Sequence, residues 1–188
     1  MAKSGALLLP PVRITGDNKA VIEQCDGTWV DDANRGILQT IIEETHSLGT
    51  VLAVHPRHNE MQYFHRVKRV HSKAADHLAN NAMDNKQDTY EWSDAGLAQL
   101  LSYILHQTDC FVYVRFDCGY RPEKQQASVG IRIQICQARG KIAISQDVLK
   151  MGIQIPPVDS YYSELCAAQT ALNFTKRIYA RMLAMAID

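Results

Sequence analysis

Long apolar runs, paired cysteines and net charge are all missing from this 188-residue chain. No segment approaches the roughly 18 to 20 consecutive apolar residues that cross a bilayer. The apolar stretch 6–9 stops at Pro10 and Pro11, too short for the h-region of an export signal. A cytoplasmic protein with no membrane partner is the expectation. The five cysteines, Cys25, Cys110, Cys118, Cys136 and Cys166, are odd in number and form no CxxC pair. Neither a disulfide framework nor a zinc ribbon is indicated, and reduced, core-filling thiols are expected. Lys plus Arg and Asp plus Glu are both 20, so no whole-chain field advertises nucleic acid, a membrane or an acidic substrate.

What is present is the composition of a globular domain, 46% hydrophobic and 21% charged. We read a single α+β domain over 1–188, with the polar stretch 80–89 as a candidate linker between two lobes. Short apolar segments at 12–15, 20–24 and 28–30, separated by Gly16-Asp17-Asn18 and Asp26-Gly27, predict an N-terminal β-meander. Ile37, Leu38, Ile41, Ile42 and Leu48 recur at helical spacing between Asp31 or Asp32 and Gly49, which predicts an amphipathic helix over 33–48. A strand at 51–54, a helix over 59–82 and a Ser93-capped helix with Leu97, Leu100, Leu101, Ile104 and Leu105 follow.

Period-two alternation then predicts a second, antiparallel β-meander with one buried face, through Val112, Val114 and Phe116, then Val129, Ile131, Ile133 and Ile135, then Ile142 and Ile144. The connection 118–127 reads as a projecting finger. A long C-terminal helix over 160–186 carries an apolar arc covering about half its circumference, wider than the stripe of a surface helix. Such an arc calls for a central place in the core or for a partner, a homodimer being the simplest.

Neutral overall, the chain is charge-segregated: 1–54, 55–80, 81–110 and 111–188 carry net −3, +3, −4 and +4. On the helix expected over 59–82, Arg66, Arg69 and Lys73 line up as a basic stripe able to follow phosphates. Its alternative is an ordinary solvated face. On the outward side of the second meander, Phe111, Tyr113 and Arg115 lie beside Arg132 and Gln134, with Lys141 at the next turn. Aromatics mixed with cations on a sheet make a surface on which bases stack, unless another helix covers it.

Five histidines, His55, His58, His65, His71 and His77, fall within 23 residues. His65, His71 and His77 step by six, so on one helix they diverge, and no Cys, Asp or Glu at ligand spacing completes a site around His55 and His58. Neither a metal nor another cofactor is expected, and His71 is read as a core histidine. Arg66 to His71 has an R-x4-H form that resembles the motif of HEPN-type ribonucleases over six residues. Those domains are helical bundles, and the β-meander here departs from that fold. Asp109 and Asp117 bracket the first strand of the second meander, where acidic groups could bind an ion or simply be solvated. These readings lead to a non-catalytic nucleic-acid-binding accessory or regulatory protein using Arg66, Arg69, Lys73, Tyr113, Arg115, Arg132 and Lys141 on DNA or RNA. The alternative is an assembly component that contacts protein through the C-terminal helix and sheet face. A hydrolase built on the histidine-rich segment ranks third.

Overall fold

A computed structural model describes residues 9–27, 32–52, 63–139 and 142–187. A six-stranded sheet organises the chain, in the order β2-β1-β4-β5-β6-β3. Strands β4 (Phe111–Arg121), β5 (Gln126–Arg139) and β6 (Ile142–Ile155) form the antiparallel meander. Strand β1 (Val12–Gly16) lies parallel to β4, and β2 (Phe64–Arg66) parallel to β1. Strand β3 (Thr89–Trp92) closes the opposite edge against β6.

The two faces of the sheet are covered by different physics. On one, Val112, Val114, Phe116, Ile131, Ile133 and Met151 merge with the helices α1 (Lys19–Cys25), α2 (Arg35–Leu52), α4 (Asp94–Leu105) and α5 (Ser160–Ile187) in one large apolar core. The wide arc of α5 is consumed there: Leu165, Ala168, Leu172, Ile178 and Met182 are all buried, and the Tyr179 hydroxyl donates to the Pro10 carbonyl at 2.7 Å. On the other face, α3 (Lys73–Asn85) approaches through Ala75, Ala79 and Ala82. The approach is so close that a Cβ on Gly130 would sit 1.9 Å from the Ala75 carbonyl oxygen, and one on Gly152 2.3 Å from that of Leu78. Only glycine admits a helix at that distance.

The mixed α+β class and the long C-terminal helix match the expectation, whereas several elements differ. Residues 20–24 form a helix rather than a strand of a meander. Asn18 caps it by accepting from the Val21 N–H, and Val21, Ile22 and Cys25 share its buried face, a spacing that a short window cannot tell from alternation. Gly27, at φ 76°, ends that helix instead of turning a hairpin; residues 28–30 lie outside the described residues. Helix α2 runs through Gly49 to Leu52, which absorbs the start of the strand expected at 51–54.

Of the helix expected over 59–82, residues 59–62 lie outside the described residues, and the rest is three pieces: strand β2, a 3-10 turn at Arg69–His71, and α3. Phe64 pairs beside Ile14, and the Val67 N–H reaches the Gly16 carbonyl at 2.9 Å, so a long-range ladder overrides the local helical period. The polar stretch 80–89 supplies the end of α3 and the beginning of β3. The finger expected at 118–127 is instead a tight connection, because β4 and β5 extend to a 3-10 turn at Pro122–Lys124 with Gln125 left-handed at φ 48°.

Candidate metal centre

Strands β1 and β4 run side by side with residues offset by 100: Val12 against Val112, Ile14 against Val114, Thr15 against Arg115. Each apolar alternation leads into an aspartate, Asp17 and Asp117. The Thr15 hydroxyl donates to the Val114 carbonyl at 3.1 Å, and Gly16 lies against the Phe116 ring, which locks this register. Strand β1 stops at Gly16 while β4 continues to Arg121. At that step the backbone of Asp17 is held by Arg66, whose Nε donates to its carbonyl at 3.4 Å.

Helix α5 brings Glu164 to the same place. Single carboxylate oxygens of Asp17, Asp117 and Glu164 all lie within 4.8 Å of one another. Asp117 is only 7% exposed, and among the described residues its carboxylate accepts a single hydrogen bond, from the adjacent Cys118 N–H at 2.9 Å. Asp76 on α3 adds a fourth negative charge felt at Asp117, its own Oδ1 accepting from Asn80 at 3.0 Å. Among the described residues none of these four carboxylates has a cation within ion-pair distance, although the charge of Arg69 partly offsets those on Asp117 and Glu164.

The electrostatic consequence is a group of acids that resist ionising together. Burial, then the charges of Asp17 and Asp76, pushes Asp117 up to about 7. Burial, then Asp117 and Asp17, pushes Glu164 up to about 8. The neighbouring Cys118 thiol is raised by burial and by the Glu164 and Asp117 charges. Hard oxygen donors with excess negative charge match Mg²⁺ or Mn²⁺, which take one to a few carboxylates and complete their shell with water and substrate phosphate.

The residues singled out from sequence are distributed around this centre. Arg66, Arg69 and Lys73 are exposed but sit on three different elements, so they form no helical stripe. Tyr113, Arg115 and Arg132 do share one sheet face, with Arg115 directly opposite Arg132. They are half-buried and mutually engaged: the Arg115 guanidinium lies 4.2 Å from the Tyr113 ring centroid and donates to Gln134, while Arg132 holds Asp147 at 2.8 Å. Arg115 is two residues before Asp117, so this face leads into the carboxylates. Lys141, His55 and His58 lie outside the described residues. His71 is exposed on the 3-10 turn rather than in a core, because the helix that would have buried it does not form there.

The acids are less evident in the sequence. Asp117 is legible only as a strand-end acid, and the structure places it inside β4. Asp17 reads locally as a turn residue, and Glu164 and Asp76 as polar positions on helices. The parallel repetition of an alternating strand ending in Asp, at 12–17 and 112–117, is the signal that could have found them. No family model, curated protein or solved structure matches the chain.

Proposed function

We propose that this protein is a divalent-cation-dependent phosphodiesterase acting on nucleic acid. The observation that carries this reading is the convergence of Asp17, Asp117 and Glu164, with the charge of Asp76 felt at Asp117, in a half-buried position where, among the described residues, no cation is ion-paired to them and only the charge of Arg69 partly offsets theirs. Four acids brought from β1, β4, α5 and α3 repel one another, and a bound cation relieves what protonation otherwise must. Asp17, Asp117 and Glu164 would hold such a cation, which when bound would supply Lewis-acid polarisation of a phosphoryl oxygen and a lowered pKa for bound water, the chemistry of metal-assisted hydrolysis. Water adds to phosphorus, the P–O bond to the leaving sugar oxygen breaks, and a phosphomonoester and a hydroxyl result.

Nucleic acid is the substrate class favoured by the surroundings. Arg66, Arg69 and Lys73 are exposed on the elements that frame the carboxylates, and the Tyr113, Arg115 and Arg132 face adjoins them. The reading therefore keeps these residues as phosphate and base contacts but makes the protein catalytic. An assembly role through α5 has less support, since the apolar arc of that helix is spent inside its own core.

The test is cleavage of end-labelled single-stranded and duplex DNA, RNA and mixed duplexes with Mg²⁺ or Mn²⁺. We expect activity that EDTA abolishes and that Asp117→Asn lowers by at least about 100-fold, the scale of losing an electrostatic element aimed at the transition state. Wild-type protein that neither cleaves any of these substrates nor binds Mn²⁺ by calorimetry would refute the proposal.

A further inference from the structure

A second polar feature lies where α3 ends beside β4. Helix α3 presents Asp76, Asn80 and Asp84 four residues apart on one face, and β4 presents Asp117, Gly119 and Arg121 two apart on the facing side. A chain of hydrogen bonds joins the two ends. Asn80 donates to Asp76 Oδ1 at 3.0 Å and accepts from Arg121 Nη2 at 3.1 Å, while Arg121 Nη1 donates to Asp84 at 2.6 Å. Gly119 is covered by the buried Met83 side chain, whose methyl a Cβ there would meet at 2.2 Å.

Beside Arg121 lies a cleft of about 480 Å³ lined by Met83, Asp84, Lys86, Arg121, Lys124 and Gln126. Three cations face one carboxylate there, and that carboxylate is already held by Arg121. Lys86 is fixed at the end of α3 in a left-handed conformation, φ 49°, and Lys124 by the 3-10 turn. Both lysines are exposed, so their charge is available to a ligand. The Gln126 amide donates to the Met83 carbonyl at 3.5 Å and ties the strand to the helix end.

We propose that this cleft is a second phosphate subsite, which grips a polynucleotide strand whose scissile phosphate lies at the carboxylates. The inference rests on the phosphodiesterase reading and adds a second contact on the substrate, at the Arg121 end of β4. Arg121 lies four residues past Asp117, about 13 Å along the strand. A nucleic-acid strand carries one phosphate per ~3.4 Å of stacked axis, so the two sites are on the order of two to four nucleotides apart, fewer if the strand is stretched. Arg121, preset by Asp84 and Asn80, orients the phosphate, while Lys86 and Lys124 supply the net attraction.

The test compares wild type with Lys86→Glu/Lys124→Glu and with the milder Lys86→Gln/Lys124→Gln. Neither lysine packs in a core, so the fold is retained, as circular dichroism will verify. Anisotropy with Ca²⁺, which supports binding without requiring turnover, is read for a labelled dinucleotide and for a single strand of roughly 12 nucleotides. We expect the charge-reversed pair to weaken the long strand by about 10-fold or more and to flatten its log affinity against log salt plot by about 1.4, two contacts at ~0.7 each. The Gln pair should act in the same direction by less, and the dinucleotide should be unaffected. Unchanged affinity and slope for the long strand would overturn the subsite. Equal loss for the long strand, the dinucleotide and inorganic phosphate would also overturn it, by identifying a free-anion pocket. If wild type neither cleaves nor binds Mn²⁺ yet long-strand binding needs the lysines, the hydrolase reading fails and the cleft stands as a strand-binding phosphate site. Cleavage whose KM ignores both lysines does the opposite: the hydrolase stands and the subsite fails.

Discussion

Asp117 concentrates the chemistry of this protein in one side chain: it is enclosed, it faces two other carboxylates, and among the described residues it receives only a neighbouring backbone N–H. Folding therefore raises its proton affinity, and that of Glu164, above the unfolded values near 4. Between about pH 4 and 8 the folded state then binds more protons than the unfolded state, so without a cation this pair costs stability as pH rises. Its contribution is most favourable at and below the unfolded pKa and is lost through pH 7 to 8. In EDTA, urea unfolding should give wild type a lower stability at pH 8.5 than at pH 5.5. Asp117→Asn should remove part of that decline, Glu164 keeping the rise that its own burial causes, and be the more stable protein at pH 8.5, by roughly 1 to 3 kcal/mol, each pKa unit being worth ~1.4. Equal pH slopes for the two proteins would show that the acids do not repel one another.

At the scale of elements, the geometry of the site depends on how closely α3 can approach the sheet. Gly130 stands directly opposite Asp117 on β5, and its missing Cβ makes room for the Ala75 carbonyl one residue before Asp76. Gly130→Ala should lift α3, costing about 1 to 3 kcal/mol as overpacking does, and should weaken Mn²⁺ binding although no carboxylate is altered. Retained stability with unchanged Mn²⁺ affinity would separate the helix from the site. The same elements mark what sequence could supply. The meander β4-β5-β6 was legible because one face is apolar and the period is two. Helices α4 and α5 were legible from caps and stripes. Strand β2 was not, because Phe64 is placed by Ile14, fifty residues earlier, and a local window contains only the helical spacing that a longer-range pairing overrules. Gly130 and Gly152 likewise reveal their purpose only against α3.

In the whole molecule, the carboxylates join parts of the chain that are remote in sequence: β1 near the beginning, α3, β4, and α5 at the other end. None of this convergence is written locally, although the two Asp-terminated strands at 12–17 and 112–117 and their shared register would have brought Asp17 beside Asp117. Because the site exists only when these segments are assembled, a cation that binds it binds the folded state alone and stabilises the entire fold by linkage. At about 100 times its dissociation constant, Mn²⁺ should add ~2.7 kcal/mol. For a chain of this size that corresponds to a rise in Tm on the order of 5 to 10 °C, at ~2 to 4 °C per kcal/mol. The increment should grow from pH 6 to pH 8, since protons compete with the metal for Asp117 and Glu164. Asp17→Asn and Glu164→Gln should each remove most of the increment while leaving the metal-free protein at least as stable as wild type at pH 8, because each relieves the same repulsion. Lys86→Gln/Lys124→Gln, in the cleft beside Arg121, should retain the full increment. Thermal unfolding followed by circular dichroism with and without Mn²⁺ measures all of these, and a Tm that is indifferent to Mn²⁺ at both pH values would mean that the carboxylates meet for some purpose other than holding a metal.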